Sequence, residues 1–256
     1  MFIFVKKPLE AVDLNMKIEN GLMRQIALDL GLDVRRPKGQ TFPVNNCWHF
    51  YTEGDSVEAL FFDDDDFKFG MNLIYLLIQS YNVVPLSFSL MDTHFHFVLY
   101  GEFDRCNDMM HDYIKRLSMY HNRKFSAIKK LKEIPLRYQI IDNDWYLKNA
   151  ICYVVKNATA AGLNFISFDH PWSSGALYFR SFNYWTAPSW EERKQGISLE
   201  GRAFREFFKA RGQDIKEIKN VHIIGDLIFP GEYVACNIVE RLFITPKSFY
   251  YFLGKS

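Results

Sequence analysis

The chain has 256 residues, of which 48% are hydrophobic and 17% aromatic, a composition that permits a sizeable packed core and excludes global disorder. The formal net charge of +1 indicates neither an acidic nor a basic partner, so only local charge patterns can do so. The four cysteines are scattered, and the N-terminal apolar segment is too short for a signal peptide. No apolar run approaches the roughly 18 residues of a membrane span. These features predict a cytoplasmic protein with no membrane partner.

The first elements in the chain are a helix, a strand and a second helix. An amphipathic pattern predicts a helix over residues 16–32, and an aromatic-rich segment predicts a strand over residues 47–52. Four consecutive aspartates, Asp63 to Asp66, precede a helical pattern over residues 67–81. These carboxylates could form a metal site, but aspartates cap helix N-termini and favour the helix dipole, so we prefer the capping interpretation.

The next elements complete one sheet. Strands are predicted over residues 83–89, 93–100 and 137–141, and helices over residues 103–125 and 144–157. The order from residue 47 is strand, helix, strand, strand, helix, strand, helix. This order is typical of an α+β fold in which helices pack on one face of an antiparallel sheet, as in a ferredoxin-like sandwich.

The pattern changes after residue 178. An aromatic, proline-containing linker is predicted over residues 185–190, and helices over residues 199–211, 232–242 and beyond Pro246. We therefore expect three regions: an N-terminal helical extension, a central α+β domain, and a linker with a small helical C-terminal appendage. Their predicted ranges are 1–44, 45–180 and 181–256.

Two histidines lie two residues apart in the segment MDTHFHFVLYG, residues 91–101. Because side chains alternate along a strand, Asp92, His94 and His96 should share one face, with the core on the other. Two imidazoles on one face can bind the same divalent ion, but the pattern alone more often reflects solvent-facing or hydrogen-bonded histidines. We assign His49, on the first strand, to that second class.

Tyr153 and Asn157 stand four residues apart in the helix over residues 144–157 and should face the same way. Alone, a tyrosine at such a position is more often a core residue. Cys152 is not spaced with a histidine and an amide in the pattern of a thiol nucleophile.

Six segments, in order, resemble motifs of the HUH single-tyrosine transposases, and within them the REP-associated tyrosine transposases. The segments are HFYTEG, FFDDDDF, MDTHFHFVLYG, LRYQIIDNDWYL, YVVKNATAAGL and HPWSS, and the resemblance covers about residues 47–178. It implies that residues 45–180 form an HUH transposase-like catalytic domain. That domain would cleave and rejoin single-stranded or hairpin DNA through a 5′-phosphotyrosine intermediate, in DNA transposition, and would act as a homodimer.

The resemblance also implies the roles of individual residues. His94, His96 and Asn157 stand at the positions of the ligands of a divalent metal, Mg²⁺ or Mn²⁺, and Tyr153 stands at the position of the nucleophile. The sequence departs from the family pattern before the first histidine, where Asp92-Thr93 replaces Pro-Asn, and at Ala158, which replaces a proline. Asp92 is therefore a candidate metal-proximal carboxylate. These departures also leave open a domesticated protein that binds a DNA hairpin without cleaving it.

Basic residues interleaved with aromatic ones extend from the third helix into the catalytic helix. A solvated helix face would explain them, and so would a nucleic-acid surface, because phosphates need cations and unpaired bases need stacking partners. The metal–tyrosine site that the resemblance implies nearby favours the second interpretation. An α+β domain whose histidines are only structural is a third alternative for the whole protein. The candidate DNA-binding residues are Lys115, Arg116, Arg123, Lys124, Lys129, Lys130, Lys132, Arg137, Lys148 and Lys156.

Overall fold

The computed structural model describes residues 20–32, 39–54, 59–125, 134–160, 170–179, 193–209, 215 and 217–255. Within these residues the helices are α1 (Asn20–Asp29), α2 (Asp64–Tyr81), α3 (Phe103–Phe125), α4 (Asp144–Ala160), α5 (Gly201–Phe207), α6 (Cys236–Phe243) and α7 (Pro246–Leu253). The strands are β1 (Pro43–Thr52), β2 (Val84–Leu90), β3 (Phe95–Tyr100), β4 (Leu136–Asn143), β5 (Arg193–Glu200), β6 (Glu217–Ile224) and β7 (Leu227–Ile228).

The main sheet has the strand order β2-β3-β1-β4, and every described pairing in it is antiparallel. The α+β class and the predicted order of elements from β1 to α4 are confirmed. The helix predicted over residues 16–32 is described from Asn20 onwards, and residues 16–19 lie outside the described part of the chain.

Helices cover both faces of this sheet. Phe95 and Phe97 of β3 contact Tyr113 of α3 with ring centroids 5.4 and 5.5 Å apart, which places α3 on the expected core face. On the other face, the ring of Tyr153 on α4 lies 5.3 Å from that of His96. The helix layer is therefore not confined to one face as predicted, and all six residues of β3 are buried. The histidine strand is a central strand between two helix layers.

The aspartate run begins α2, as the capping interpretation predicted. The Asp63 side chain accepts a hydrogen bond from the Asp66 backbone N–H at 3.1 Å, which satisfies one of the unpaired donors of the first helical turn. The Asp66 side chain is fully buried, where it accepts from Phe62 N and pairs with Lys124. These contacts tie the start of α2 to the end of α3.

Residues 91–94 form the loop of a β-hairpin. Leu90 pairs with Phe95 across the two strands, and Met91 N donates to His94 O at 2.8 Å. Asp92 therefore lies in the turn and not on the strand, so alternation along the strand does not place it beside the histidines. Its backbone carbonyl instead accepts hydrogen bonds from Leu60 N and Phe61 N.

The segment HPWSS, residues 170–174, lies along β2. Ser173 forms an antiparallel bridge with Ser89, and backbone hydrogen bonds of 2.9 and 3.0 Å link Leu90 to Trp172 and Ser174 to Phe88. The Trp172 ring stacks on Phe67 with centroids 4.9 Å apart. The motif thus covers the β2 edge and anchors it to α2.

The C-terminal region contains a three-stranded antiparallel sheet, β5-β6-β7, which the sequence analysis did not predict. Its first strand reads RKQGISLE and contains few strand-forming residues, so cross-strand pairing with β6 defines it. The Asn72 side chain of α2 joins the two regions by accepting from Ile228 N and donating to Asp226 O, both at 2.9 Å. No described helix is long and apolar enough to cross a membrane. The linker predicted over residues 185–190 lies outside the described residues.

Candidate active site

The β2–β3 hairpin and the α4 helix bring His94 and Asn157 together. His94 Nε2 lies 3.3 Å from Asn157 Oδ1, although the two residues are 63 positions apart in sequence. The His94 and His96 rings are nearly perpendicular, with centroids 5.2 Å apart. The three side chains predicted as metal ligands therefore lie in one small region of the molecule.

Tyr153 lies beside this group, one helical turn before Asn157. Its ring contacts His96 and His49 edge-on, with centroids 5.3 and 5.9 Å apart. Its side chain remains 47% exposed, whereas Asn157 is only 6% exposed. The expectation that the two residues share a helix face agrees with this geometry. The arrangement places an accessible phenol next to a buried polar group.

The hairpin loop supports His94 from its other side. Thr93 Oγ1 lies 3.1 Å from His94 Nδ1, within hydrogen-bond distance. A Cβ atom at Gly54 would lie 2.9 Å from Thr93 Oγ1 and 3.0 Å from His94 Nδ1. A side chain at position 54 would therefore require Thr93 or His94 to shift.

His96 is buried and is not the surface-facing histidine expected from strand alternation. It is 5% exposed, its Nδ1 lies 3.0 Å from His49 Nε2, and it stacks on Tyr51. Burial, followed by the neighbouring His49 and His94, lowers the pKa of His96 to about 2. Burial likewise lowers the pKa of His49 to about 4, against an opposing hydrogen bond with Gln139. Both imidazoles are therefore neutral near pH 7.

The donor set fits a divalent metal. Neutral imidazoles and an amide oxygen all offer lone pairs, and imidazole is a common metal ligand in proteins. If His94 donates Nδ1–H to the Thr93 hydroxyl, its Nε2 lone pair faces Asn157 Oδ1. Two adjacent ligands about 2.1 Å from one ion are roughly 3.0–3.4 Å apart for octahedral or tetrahedral angles, and the observed separation is 3.3 Å.

The Asn157 amide adds a second observation. Its Nδ2 atom is buried and makes no hydrogen bond among the described residues, so its environment does not use the full hydrogen-bonding capacity of the amide. Across the described ranges, no group of three or more His, Cys, Asp or Glu side chains is placed to hold a metal. The His94, His96 and Asn157 set differs from such a group because its third member is an amide.

Two neighbouring residues have surroundings unlike those of the candidate ligands. Asp92 is exposed at the hairpin tip, and its metal-proximal role stays a prediction. Its charge acts there on His170, whose pKa is lowered by burial in spite of the Leu90 carbonyl and Asp92. Cys152 is buried, its Sγ lies 3.9 Å from Phe249 O, and burial raises its thiol pKa to about 12. A thiol in that setting is not activated as a nucleophile.

Several of the candidate DNA-binding cations are paired with carboxylates. Lys124 Nζ lies 2.7 Å from Asp63 and 2.6 Å from Asp66. Arg116 pairs with Asp112 at 2.7 Å, and Lys148 lies 3.5 Å from Asp144. These three cations form ion pairs within the protein, so their positive charge is partly neutralised by the neighbouring carboxylates.

The remaining cations are more dispersed. Arg137 lies 3.4 Å from Glu53 at the edge of the sheet, and Arg123 donates to Lys209 O at 3.4 Å. Lys115 is exposed on α3. Lys156 is half-buried on α4, three residues from Tyr153, so the two lie on neighbouring positions of one helix face. Lys129, Lys130 and Lys132 lie outside the described residues.

Sequence reasoning placed His49 among the solvent-facing or hydrogen-bonded histidines, and its hydrogen bond with His96 agrees with the second of these. It did not connect His49 with Gln139 or Tyr146. His49 hydrogen-bonds to the side chain of Gln139, and Tyr146 Oη donates to Gln139 Oε1 at 2.7 Å. In the sheet, His49 is paired with Gln139 on β4, and its neighbour Tyr51 is paired with His96 on β3. Strand register brings these residues together, and periodicity within a single segment does not reveal it.

Neither a family model nor a curated protein matches the sequence. Among solved structures, the chain is similar to a REP-associated tyrosine transposase bound to a REP hairpin. That match has 11% sequence identity and a TM-score of 0.39, and it covers 55% of this chain and 82% of that chain. A likeness at this level does not decide the function, which must be inferred from the geometry of the site.

Proposed function

We propose that the chain is a metal-dependent single-tyrosine nuclease and strand transferase that acts on single-stranded or hairpin DNA, in DNA transposition. The convergence of a half-exposed tyrosine with two imidazoles and a buried amide carries the proposal. The hairpin and α4 supply these groups from separate parts of the chain. A structural role for the histidines alone would not account for the accessible phenol beside them.

The chemistry follows from the residues. Tyr153 would attack a phosphodiester phosphorus through its phenolic oxygen, forming a 5′-phosphotyrosine bond as the bond from phosphorus to the 3′-oxygen breaks. The phenolic proton would leave to solvent, and the departing oxygen would take up a proton to become a 3′-hydroxyl. The reverse reaction would rejoin strands without an external energy source, because the phosphotyrosine conserves the bond.

His94, His96 and Asn157 would hold the metal. When bound, a divalent ion would neutralise charge on the scissile phosphate and polarise it. Two imidazoles favour Mn²⁺ over Mg²⁺, because Mg²⁺ prefers a shell of oxygen ligands. Lys156, one turn from Tyr153, would contribute positive charge to the phosphate that the tyrosine attacks.

Tyr153→Phe tests the nucleophile directly. The change removes one hydroxyl from a half-exposed ring, so packing and DNA binding should be retained while covalent adduct formation is lost. The measurement combines a gel shift with a denaturing gel for a protein–DNA adduct, using one hairpin-bearing single strand and Mn²⁺. Tyr251→Phe, which alters another exposed tyrosine, is the matched control and should form the adduct.

The outcomes separate cleavage from binding alone. An adduct formed by Tyr153→Phe would show that another tyrosine is the nucleophile. Wild-type protein that binds the hairpin but forms no adduct with Mn²⁺ or Mg²⁺ would favour the alternative function, a domesticated hairpin-binding protein. The replacement of Pro-Asn by Asp92-Thr93 before His94 is the specific observation behind that alternative.

A further inference from the structure

A series of hydrogen-bonded side chains connects the candidate metal ligand His96 to β4, an edge strand of the main sheet. His96 Nδ1 lies 3.0 Å from His49 Nε2, and His49 also hydrogen-bonds to the Gln139 side chain. Gln139 Oε1 in turn accepts from Tyr146 Oη at 2.7 Å. Four side chains from β3, β1, β4 and α4 thus form one connected series.

We propose that His49 is a positioning residue, which fixes His96 in the tautomer with the proton on Nδ1 and the lone pair on Nε2. The proposal rests on the proposed function, because a lone pair at Nε2 has its use in binding the metal. His49 makes no contact with substrate in this role. It acts only through His96.

The donor and the acceptor of each hydrogen bond in the series can be assigned one after another, starting from Tyr146. Tyr146 donates to Gln139 Oε1, which identifies this oxygen as the acceptor end of the amide. The Gln139 hydrogen bond acts to raise the pKa of His49, which is the effect of an imidazole N–H that donates to an amide oxygen. Since His49 Nε2 faces His96 Nδ1, the nitrogen that donates to Gln139 is His49 Nδ1. A neutral imidazole has one donor and one acceptor, so His49 Nε2 must accept, and His96 Nδ1 must donate to it.

Three other rings surround the His96 imidazole. Its ring stacks on Tyr51 at 5.7 Å and meets His94 and Tyr153 edge-on at 5.2 and 5.3 Å. Because Nδ1 is used by His49, Nε2 is the nitrogen left for a metal. Histidines that bind metals usually donate their other ring N–H to a nearby acceptor, which orients the ring and raises its basicity.

The series also ties this orientation to the nucleophile helix. Tyr146, Tyr153 and Asn157 lie on α4 at spacings of seven and four residues, which places them along one helix face. The same helix face therefore supplies the outer end of the series, the phenol and the amide ligand. A displacement of α4 would disturb all three together.

Ring nitrogen chemical shifts test the tautomer without metal or DNA. In ¹⁵N-labelled, metal-free full-length protein near pH 7, His96 should show a protonated Nδ1 and an unprotonated Nε2, its signals being identified by their loss in His96→Gln. His49→Phe keeps a ring at this position but removes the acceptor, so the His96 signals should become those of a tautomer mixture. His49→Gln retains an acceptor oxygen and should preserve the wild-type tautomer.

Mn²⁺ titration by calorimetry provides the second readout. We expect His49→Phe to lose about 10- to 100-fold in Mn²⁺ affinity, the usual effect of removing such a partner, and His49→Gln to keep most of it. Tyr51→Phe, which alters the other ring stacked on His96, should bind Mn²⁺ like the wild type. Circular dichroism and thermal unfolding check that each variant is folded, because His49 is 5% exposed.

The outcomes separate this inference from the proposed function. Wild-type His96 with its proton on Nε2 overturns the positioning role, whether or not His49→Phe folds. Unchanged Mn²⁺ affinity in folded His49→Phe overturns it as well. Wild-type protein that shows the expected tautomer but binds no Mn²⁺ would contradict the proposed metal-dependent function and leave the hydrogen-bond series intact.

Discussion

At the scale of single residues, Asn157 and His94 have the most direct geometric relation to the proposed metal position. Their facing atoms are 3.3 Å apart, and Asn157 Nδ2 makes no hydrogen bond to a described residue in its buried site. An amide and an imidazole can face each other across an ion, or through one N–H. The 3.3 Å separation of Nε2 and Oδ1 is compatible with either arrangement, and metal titration distinguishes them.

We expect His94→Ala and Asn157→Ala each to weaken Mn²⁺ binding by at least tenfold, because each removes one of the three proposed protein ligands. Calorimetric titration of the metal-free protein measures this effect. His111→Ala, which alters an exposed histidine on α3, is the control and should leave the affinity unchanged. Wild-type affinity in both site variants would remove these residues from the metal site.

His96→Ala needs a different reading from the other ligand variants. The sequence analysis treated His96 as surface-facing, whereas its ring is buried between β1 and α4. Its removal would leave a cavity and an unpaired nitrogen on His49, so a loss of metal affinity could follow from unfolding. His94 is only half-buried and therefore gives the cleaner measurement.

At the scale of secondary structure, the N-terminus of α2 shows what carboxylates contribute to the fold. Asp66 is fully buried and accepts hydrogen bonds from Phe62 N and Lys124. Asp64 is exposed in the same helical turn. Four similar residues in a row therefore have different roles, and burial distinguishes them.

Asp66→Ala should lower the free energy of unfolding by about 2 kcal/mol, because it leaves the Phe62 N–H and the Lys124 ammonium without their buried acceptor. Asp64→Ala, the matched control, should change it by less than about 0.5 kcal/mol. Urea denaturation followed by circular dichroism measures both. Equal losses in the two variants would contradict the structural role assigned to Asp66.

Elements with strong periodicity could be predicted from the sequence, and those defined by pairing could not. The predicted bounds of α3 match the structure, since its apolar residues recur at helical spacing. In contrast, β5 contains charged and glycine residues, and only its pairing with β6 makes it a strand. The same distinction applies to the candidate site. The pair His94 and His96 could be predicted from one segment, whereas the contact between His49 and His96 depends on strand register.

At the scale of the whole molecule, the C-terminal elements pack against α4, the helix that carries Tyr153. Cys152 Sγ lies 3.9 Å from Phe249 O of α7, and Lys148 Nζ lies 5.6 Å from the centre of the Phe252 ring. These contacts support α4 at helix positions that do not share the face of Tyr153 and Asn157. The C-terminal region therefore contributes to the position of the site, whatever other role it has.

The exposed edge of the main sheet bears on the predicted homodimer. In the described part of the chain, β4 is the edge strand beside β1. It exposes Tyr138 and Ile140 by 49% and 60%, and Trp145 at the start of α4 is 58% exposed. An edge strand with unpaired backbone groups and large apolar side chains is a natural place for a second copy to pair.

We expect the wild-type protein to be a dimer at tens of micromolar and Ile140→Lys to shift it towards the monomer, because a charge at the edge opposes strand pairing between copies. Light scattering coupled to size exclusion gives both masses. Ile244→Lys places the same charge at an apolar residue that is 82% exposed on the turn between α6 and α7, and it should leave the dimer intact.

A monomeric wild type would contradict the homodimer itself. A dimer that survives Ile140→Lys but dissociates with Ile244→Lys would place the interface on the C-terminal helices, because the two substitutions differ only in the surface that receives the charge.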